Sequence, residues 1–270
     1  MKYIERSLER KFLEVNKVFK AIMVVGARQV GKSTMLKHFA GKENRTVVSM
    51  DDSRLRDLAQ RDSAIFFQLY KPPILIDEVQ KAPQLFEQIK IICDSSEEKG
   101  LFWLTGSQSR KLLKEAGDSL AGRICLLKMY SLSQKEIAGI NANDPLEFSF
   151  NGLISRSKAF PANNVVDVFS HIWRGGMPEI LQLNAEQTHE YWDSYVDMYL
   201  MRDAVDDNGI KDSEGFRKFL RACAAFTGQL LNYNVIAQSA GISGVTAKDR
   251  MKILQTMGIV FCWSHFMQMS

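Results

Sequence analysis

The chain has 270 residues, 46% of them hydrophobic and 24% charged, with a formal net charge of +4, which describes a globular protein of one large domain or two smaller ones. No stretch approaches the roughly 18 uninterrupted apolar residues of a membrane span, and the charged N-terminal stretch MKYIERSLERKFLEVNKVF lacks the apolar core of a signal peptide. Cys93, Cys125, Cys223 and Cys262 form no CxxC pair and show no ligand-like spacing to a histidine, which argues against a metal–thiolate site and for reduced thiols in a cytoplasmic protein.

In chain order, Leu8, Phe12, Val15 and Phe19 recur at spacings of three and four, which predicts an amphipathic helix over 5–19. Residues 22–25 read as a buried strand, followed by a glycine-rich loop and a helix over 32–39. A short strand follows at 46–50, then a helical stretch over 54–70 that Pro72 and Pro73 stop. The apolar strand at 74–76, a helix at 85–93 and strands at 101–104 and 124–129 complete an alternating pattern. Short apolar strands alternating with helices predict a parallel sheet covered on both faces, with ligands bound at the edge where the strands end. Beyond Leu132, Ser133 and Glu136 form an S-x-x-E capping box. Residues 141–164 read as irregular, and helices are expected at 166–173, 187–206, 212–225, 230–239 and 245–257.

Within this frame, Gly26, Ala27, Arg28, Gln29, Val30, Gly31, Lys32, Ser33 and Thr34 spell GARQVGKST, a full match to G-x-x-x-x-G-K-[ST]. Glycines let successive N–H groups turn inward around phosphate oxygens, and the following helix adds its positive N-terminal end. Lys32 is placed to reach the β- and γ-phosphates and Ser33 to ligate Mg²⁺. The strand at 74–76 ends in Asp77 and Glu78. An Asp at a strand tip can hold the metal, and the adjacent Glu can polarise a water for attack on the γ-phosphate, which points to hydrolysis. The next strand ends in LTGSQ, where Thr105, Ser107 or Gln108 could contact the γ-phosphate or the water; a turn capping the next helix is the alternative. Arg28 could face solvent or phosphate.

The motifs GARQVGKST, ILIDEVQKAPQLFEQIK, LTGSQS, DSLAGRI, SLSQKEI, RGGMPE and YVDMYLMRD, with FTGQLLNYNVIAQSAGISGVTAKDRMKILQTMGIV further on, resemble prokaryotic AAA-superfamily ATPases fused to a C-terminal domain of uncharacterised function. The resemblance runs from about Tyr3 to Val260. It implies an α/β P-loop core with strand order 5-1-4-3-2, a helical lid and a helix-turn-helix or winged-helix-like region. The corresponding boundaries are 1–132 for the core, 133–186 for the lid and 187–270 for the last part. The resemblance also implies ATP at 26–34, Asp77 and Glu78 as the metal and water acids, and the LTGSQ segment as sensor. Many AAA proteins have Asn where this chain offers Thr105 and Ser107. Arg123, in DSLAGR, takes the place of an arginine finger acting in a neighbouring subunit, which requires a homo-oligomer. An ordinary helix-end Arg is the alternative. Arg174 is a weaker candidate for a second sensor, and Arg202 with Asp203 reads as a structural ion pair.

Residues 235–257 have helix-turn-helix form, with Gly241 at the turn, Ser243 or Thr246 capping the second helix, and Lys248, Arg250 and Lys252 lending it positive charge. Residues 211–270 carry more Lys and Arg than Asp and Glu, so this part could meet DNA or a protein partner. The relatives' chains usually continue past this segment, whereas this sequence stops at FCWSHFMQMS, which fits a truncated chain, a frameshifted gene or a natural short form. The resulting expectation is a cytoplasmic, Mg²⁺-dependent ATPase. The alternatives are a nucleotide-gated DNA-binding regulator with little turnover and a nucleotide-binding interaction scaffold.

Overall fold

In the computed structural model, residues 3–107, 110–140, 149–159, 164–207 and 209–263 are described. The chain opens with helix α1 (Leu8–Asn16), which buries Phe12 and Val15, and then enters strand β1 (Ala21–Gly26). Helix α2 (Lys32–Ala40), β2 (Thr46–Ser49), β3 (Ile74–Asp77), β4 (Phe102–Ser107) and β5 (Ile124–Lys128) carry the alternation onward. The five strands form one sheet in the order β2-β3-β4-β1-β5, parallel at every pairing. This is the expected order read from its other edge.

β1, β3 and β4 are buried along their whole length because helices cover both faces. Continuous apolar runs rather than alternation are what a doubly covered parallel sheet demands. One face packs Met23, Val25, Ile76 and Leu104 against α3 (Ser53–Arg61), α4 (Ser63–Leu69), α5 (Leu85–Ser95) and α6 (Arg110–Leu120). The other packs Ile22, Val24 and Trp103 against Phe12, Leu36 and Phe39, and also against Met177, Ile180 and Tyr195 from the later part of the chain. Trp103 is anchored at its polar end, its Nε1 donating to Asn16 Oδ1 at 2.7 Å, while the Arg45 guanidinium lies 3.7 Å from its ring centroid.

Three expectations need correction. The helix expected over 54–70 breaks in two at Asp62, whose backbone leaves the helical region (φ −150°, ψ 89°) while its side chain accepts from Ile65 N to cap α4. An Asp side chain that can bond its own downstream backbone competes with helix continuation. Residues 141–164 are not irregular throughout: α8 (Phe150–Ala159) forms there, with Phe150, Leu153 and Ile154 at helical spacing. Their polar neighbours masked that periodicity. Beyond α7 (Gln134–Ile137) and α9 (Val165–Arg174), the helix expected over 187–206 begins earlier, as α10 (Ala185–Tyr195). It then widens into π-helical stretches at Val196–Leu200 and Asp203–Asp207.

A third core joins Leu200, Met201 and Ala204 to α11 (Ser213–Ala225), α12 (Tyr233–Ala240) and α13 (Gly244–Thr256). Gly241 closes α12 in the left-handed region (φ 69°), which a glycine adopts without penalty. Ser243 caps α13 by accepting from Thr246 N at 3.1 Å. No strand occurs among the described residues after Lys128.

Candidate functional site

Because every strand runs the same way, the loop after β1, the tip of β3 and the tip of β4 meet at one sheet edge. β4 lies between the other two and pairs Gly26 with Ser107. The loop from Gly26 to α2 wraps a cavity of about 590 Å³. Arg28, Gln29, Gly31, Lys32, Ser33 and Thr34 line it, and Glu78 closes it from the tip of β3. Gly31 sits at φ 98°, a conformation that disfavours any side chain. Behind the loop, Val30 is buried and packs into the core face that holds Met35 and Leu36.

The Lys32 ammonium folds over its own loop, donating to Gly26 O at 3.0 Å and Ala27 O at 2.8 Å. Burial pulls its pKa down, against the opposing pull of the Glu78 carboxylate. A phosphate oxygen offers this ammonium a charged partner in place of two neutral carbonyls.

Asp77 is the hub. Its Oδ1 accepts from Ser33 Oγ and from Thr105 Oγ1, each at 2.5 Å, and its Oδ2 lies 3.1 Å from Lys37 Nζ. Burial pushes the Asp77 carboxyl upward, but the two hydroxyls and the Lys37 ammonium outweigh it and hold the group below the ordinary carboxylate value. Ser33 and Asp77 together form a hard-oxygen pair of the kind Mg²⁺ uses when it keeps most of its waters, so these residues fit that ion. Thr105 also accepts from Glu78 N at 3.0 Å, tying the tips of β3 and β4 together. Glu78 itself stands in the left-handed region (φ 58°), and its carboxylate accepts from Gln80 Nε2. Ser107 Oγ and Gln80 Oε1 are buried without a hydrogen-bond partner among the described residues.

The sequence-derived residues therefore divide. Gly26–Thr34, Asp77, Glu78, Thr105 and Ser107 converge on one edge, whereas Gln108 lies outside the described residues. Arg123 lies at the start of β5, the opposite end of its strand from this edge. Its guanidinium forks onto Asp94 at 2.5 and 3.0 Å and also donates to Ala121 O. Arg174 donates to Leu183 O at 3.3 Å and is not among the residues lining the cavity. Asp203 pairs with Arg28 (Nη2–Oδ1 2.8 Å), a partner the reading of Arg202 with Asp203 did not foresee. Arg250 also needs correction as a nucleic-acid contact. It is buried in α13 and bonds Asp212 at 2.9 Å, which leaves Lys248 and Lys252 as that helix's outward cations.

Several contributors escaped the sequence reading. Arg6, 5% exposed, donates to Val30 O and Tyr130 O at 2.7 Å each and pairs with Glu136 at 3.2 Å, buttressing the loop from behind. Glu136 was legible as half of a capping box, which it is, but not as the anchor of Arg6. Lys37, one turn beyond Ser33 on α2, carried a weaker signal: an i, i+4 spacing that puts both residues on one helix face.

Residues 18–138 match the AAA domain family, and residues 166–269 match a domain of unknown function, DUF8612. Two curated mycobacterial proteins, the uncharacterized Mb2031c of Mycobacterium bovis and Rv2008c of Mycobacterium tuberculosis, are each 24% identical over 235 residues. The aligned region is 86% of this chain and 47% of each relative, so the chain spans about half the length of the curated relatives it matches. Among solved structures, the Walker-type ATPase Paby2304 of Pyrococcus abyssi has the same fold (TM-score 0.54, 14% identity, 95% of this chain and 90% of that one).

Proposed function

We propose that this chain, whose residues 18–138 form an AAA domain, uses its nucleotide-binding P-loop to bind ATP with Mg²⁺ and hydrolyse it. The observation that carries the reading is the Asp77 hub: one carboxylate joined to the P-loop serine and to Thr105, with the Lys37 ammonium 3.1 Å from its other oxygen. A structural turn has no use for a buried, ionised carboxylate surrounded by groups that suit a metal and a phosphate.

In this reading Lys32 exchanges its two carbonyls for β- and γ-phosphate oxygens, and the loop's N–H groups fold around the same phosphates. Ser33 and Asp77 would hold the metal, which would supply positive charge against the negative charge developing on the phosphates. Glu78 orients a water and takes its proton as the water oxygen bonds the γ-phosphorus and the bond to the β–γ bridging oxygen breaks. Thr105 fixes where Glu78 stands, through the Glu78 N–H and Asp77, and Ser107 offers a free hydroxyl at the same edge. Arg123 could contribute only in a second copy of the chain, after leaving Asp94. The bidentate Asp94 pair favours the structural reading of this arginine, and concentration-dependent turnover separates the two.

Titration of a fluorescent ATP analogue in the presence of Mg²⁺ tests the binding half. Lys32→Ala should weaken affinity by roughly 10- to 100-fold, the worth of charge-assisted hydrogen bonds. An unchanged affinity would remove Lys32, and with it the phosphate assignment of the loop.

A further inference from the structure

The P-loop is gripped from outside by the helical segment that leads into the helix-turn-helix. Tyr191 OH donates to Gln29 Oε1 at 2.6 Å, and Tyr195 OH donates to Arg28 O at 3.2 Å. About two turns further on, Arg28 Nε reaches both oxygens of Asp203, at 2.9 and 3.0 Å, and Nη2 adds a third contact at 2.8 Å. The guanidinium also lies 5.8 Å from the Tyr199 ring centroid. These partners stand 175 residues apart in sequence, so the contacts join the two ends of the molecule's architecture.

Three observations give the pair a role beyond packing. Arg28 and Tyr199 both line the cavity at the phosphate loop, so the pair borders the space in which the nucleotide is proposed to bind. The backbone that carries Asp203 is π-helical, over Val196–Leu200 and again over Asp203–Asp207. Such widened turns are rare within helices and often mark functional sites. The same segment sends Leu200, Met201 and Ala204 into the core of α11–α13, and Arg28 and Asp203 share the wall of a small cavity with Met257 and Ile259 beyond α13.

We propose that Arg28 and Asp203 form a latch that a nucleoside triphosphate opens and a diphosphate leaves closed. The proposal rests on the nucleotide-binding reading above. The planar guanidinium accepts a carboxylate or a phosphate in the same two-pronged geometry. A γ-phosphate therefore competes with Asp203 for it, whereas a diphosphate presents no group at that position. When Arg28 changes partner, Asp203 loses the Arg28 contact and the π-helical segment relaxes, which passes the change to the helix-turn-helix core. A ligand shifts such an equilibrium only by its differential affinity for the two states, and Arg28 supplies that difference.

Hydrogen exchange on the full wild-type chain, with Mg²⁺ and either ADP or a slowly hydrolysed ATP analogue, reads the latch without mutation. The triphosphate should accelerate exchange over residues 196–207 while ADP does not. Asp203→Asn should raise affinity for the triphosphate about tenfold with little change for ADP, and Asp203→Glu should restore the wild-type ratio. Equal exchange with both bound nucleotides, or an equal shift of both affinities in Asp203→Asn, overturns the latch and leaves a static clamp. Failure of the wild-type chain to bind either nucleotide removes the nucleotide reading as well, a different result from binding both without discrimination.

Discussion

At the scale of single residues, Asp77 concentrates the chemistry, and its ionisation is coupled to folding. Its pKa is held below 3.8 in the folded chain, burial being outweighed by Ser33, Thr105 and Lys37. A carboxyl depressed on folding contributes stability that is complete well above its unfolded pKa and drains away as pH falls through the folded value. Asp77→Asn should therefore flatten the fall of the urea midpoint below about pH 4 relative to wild type; parallel profiles would show that folding leaves the Asp77 pKa unshifted. The residues legible in the sequence were those whose role follows from local spacing: Gly26 to Ser33 along one loop, and Asp77 with Glu78 at a strand tip. Lys37 on Asp77, hinted at only by its spacing to Ser33, and Tyr195 on the Arg28 carbonyl depend on contacts across 40 and more positions, which local spacing does not specify.

At the scale of elements, the strands were readable because burial on both faces leaves unbroken apolar runs, as in β1 and β3. Helix boundaries were less readable where polar residues decide them, as Asp62 does by capping α4 from inside an apparently continuous pattern. The π-helical widening after Tyr195 has no compositional sign at all. The segment from Arg6 to α1 is tied to the site from behind, because the Arg6 guanidinium is buried with Glu136 and bonds the loop at Val30 O. Removing one partner of a buried pair strands the other charge, which costs about 3–5 kcal/mol. Urea denaturation of Arg6→Ala should show a loss in that range, together with weaker nucleotide binding as the loop loses its buttress. A loss within the error of a surface substitution would show the pair to be solvated.

At the scale of the whole molecule, the order of elements and the sheet edge that gathers the site follow from the parallel alternation, which is why the fold class was legible in the sequence. What the C-terminal part does was less accessible, because its charge count included Arg250, and tertiary packing turns that residue inward onto Asp212. Net charge along a helix says little about which cations reach solvent. Assembly leaves its own trace in kinetics. If Arg123 completes a neighbour's site, phosphate release per chain rises with protein concentration and Arg123→Ala abolishes the rise without changing ATP affinity. If the Asp94 pair is structural, turnover per chain is flat, and Arg123→Ala changes stability by no more than an exposed pair does.

The central claim is that the chain hydrolyses ATP at the P-loop with Glu78 as the water-activating base. The most direct measurement is phosphate release from Mg-ATP by wild type and Glu78→Gln, with bound nucleotide quantified in the same samples. Wild type should release phosphate, the variant should release it roughly 10²–10⁴-fold more slowly, and ATP should stay on the variant at undiminished affinity. Equal release by the two proteins, or no release by wild type at any concentration while ATP stays bound, would contradict that claim.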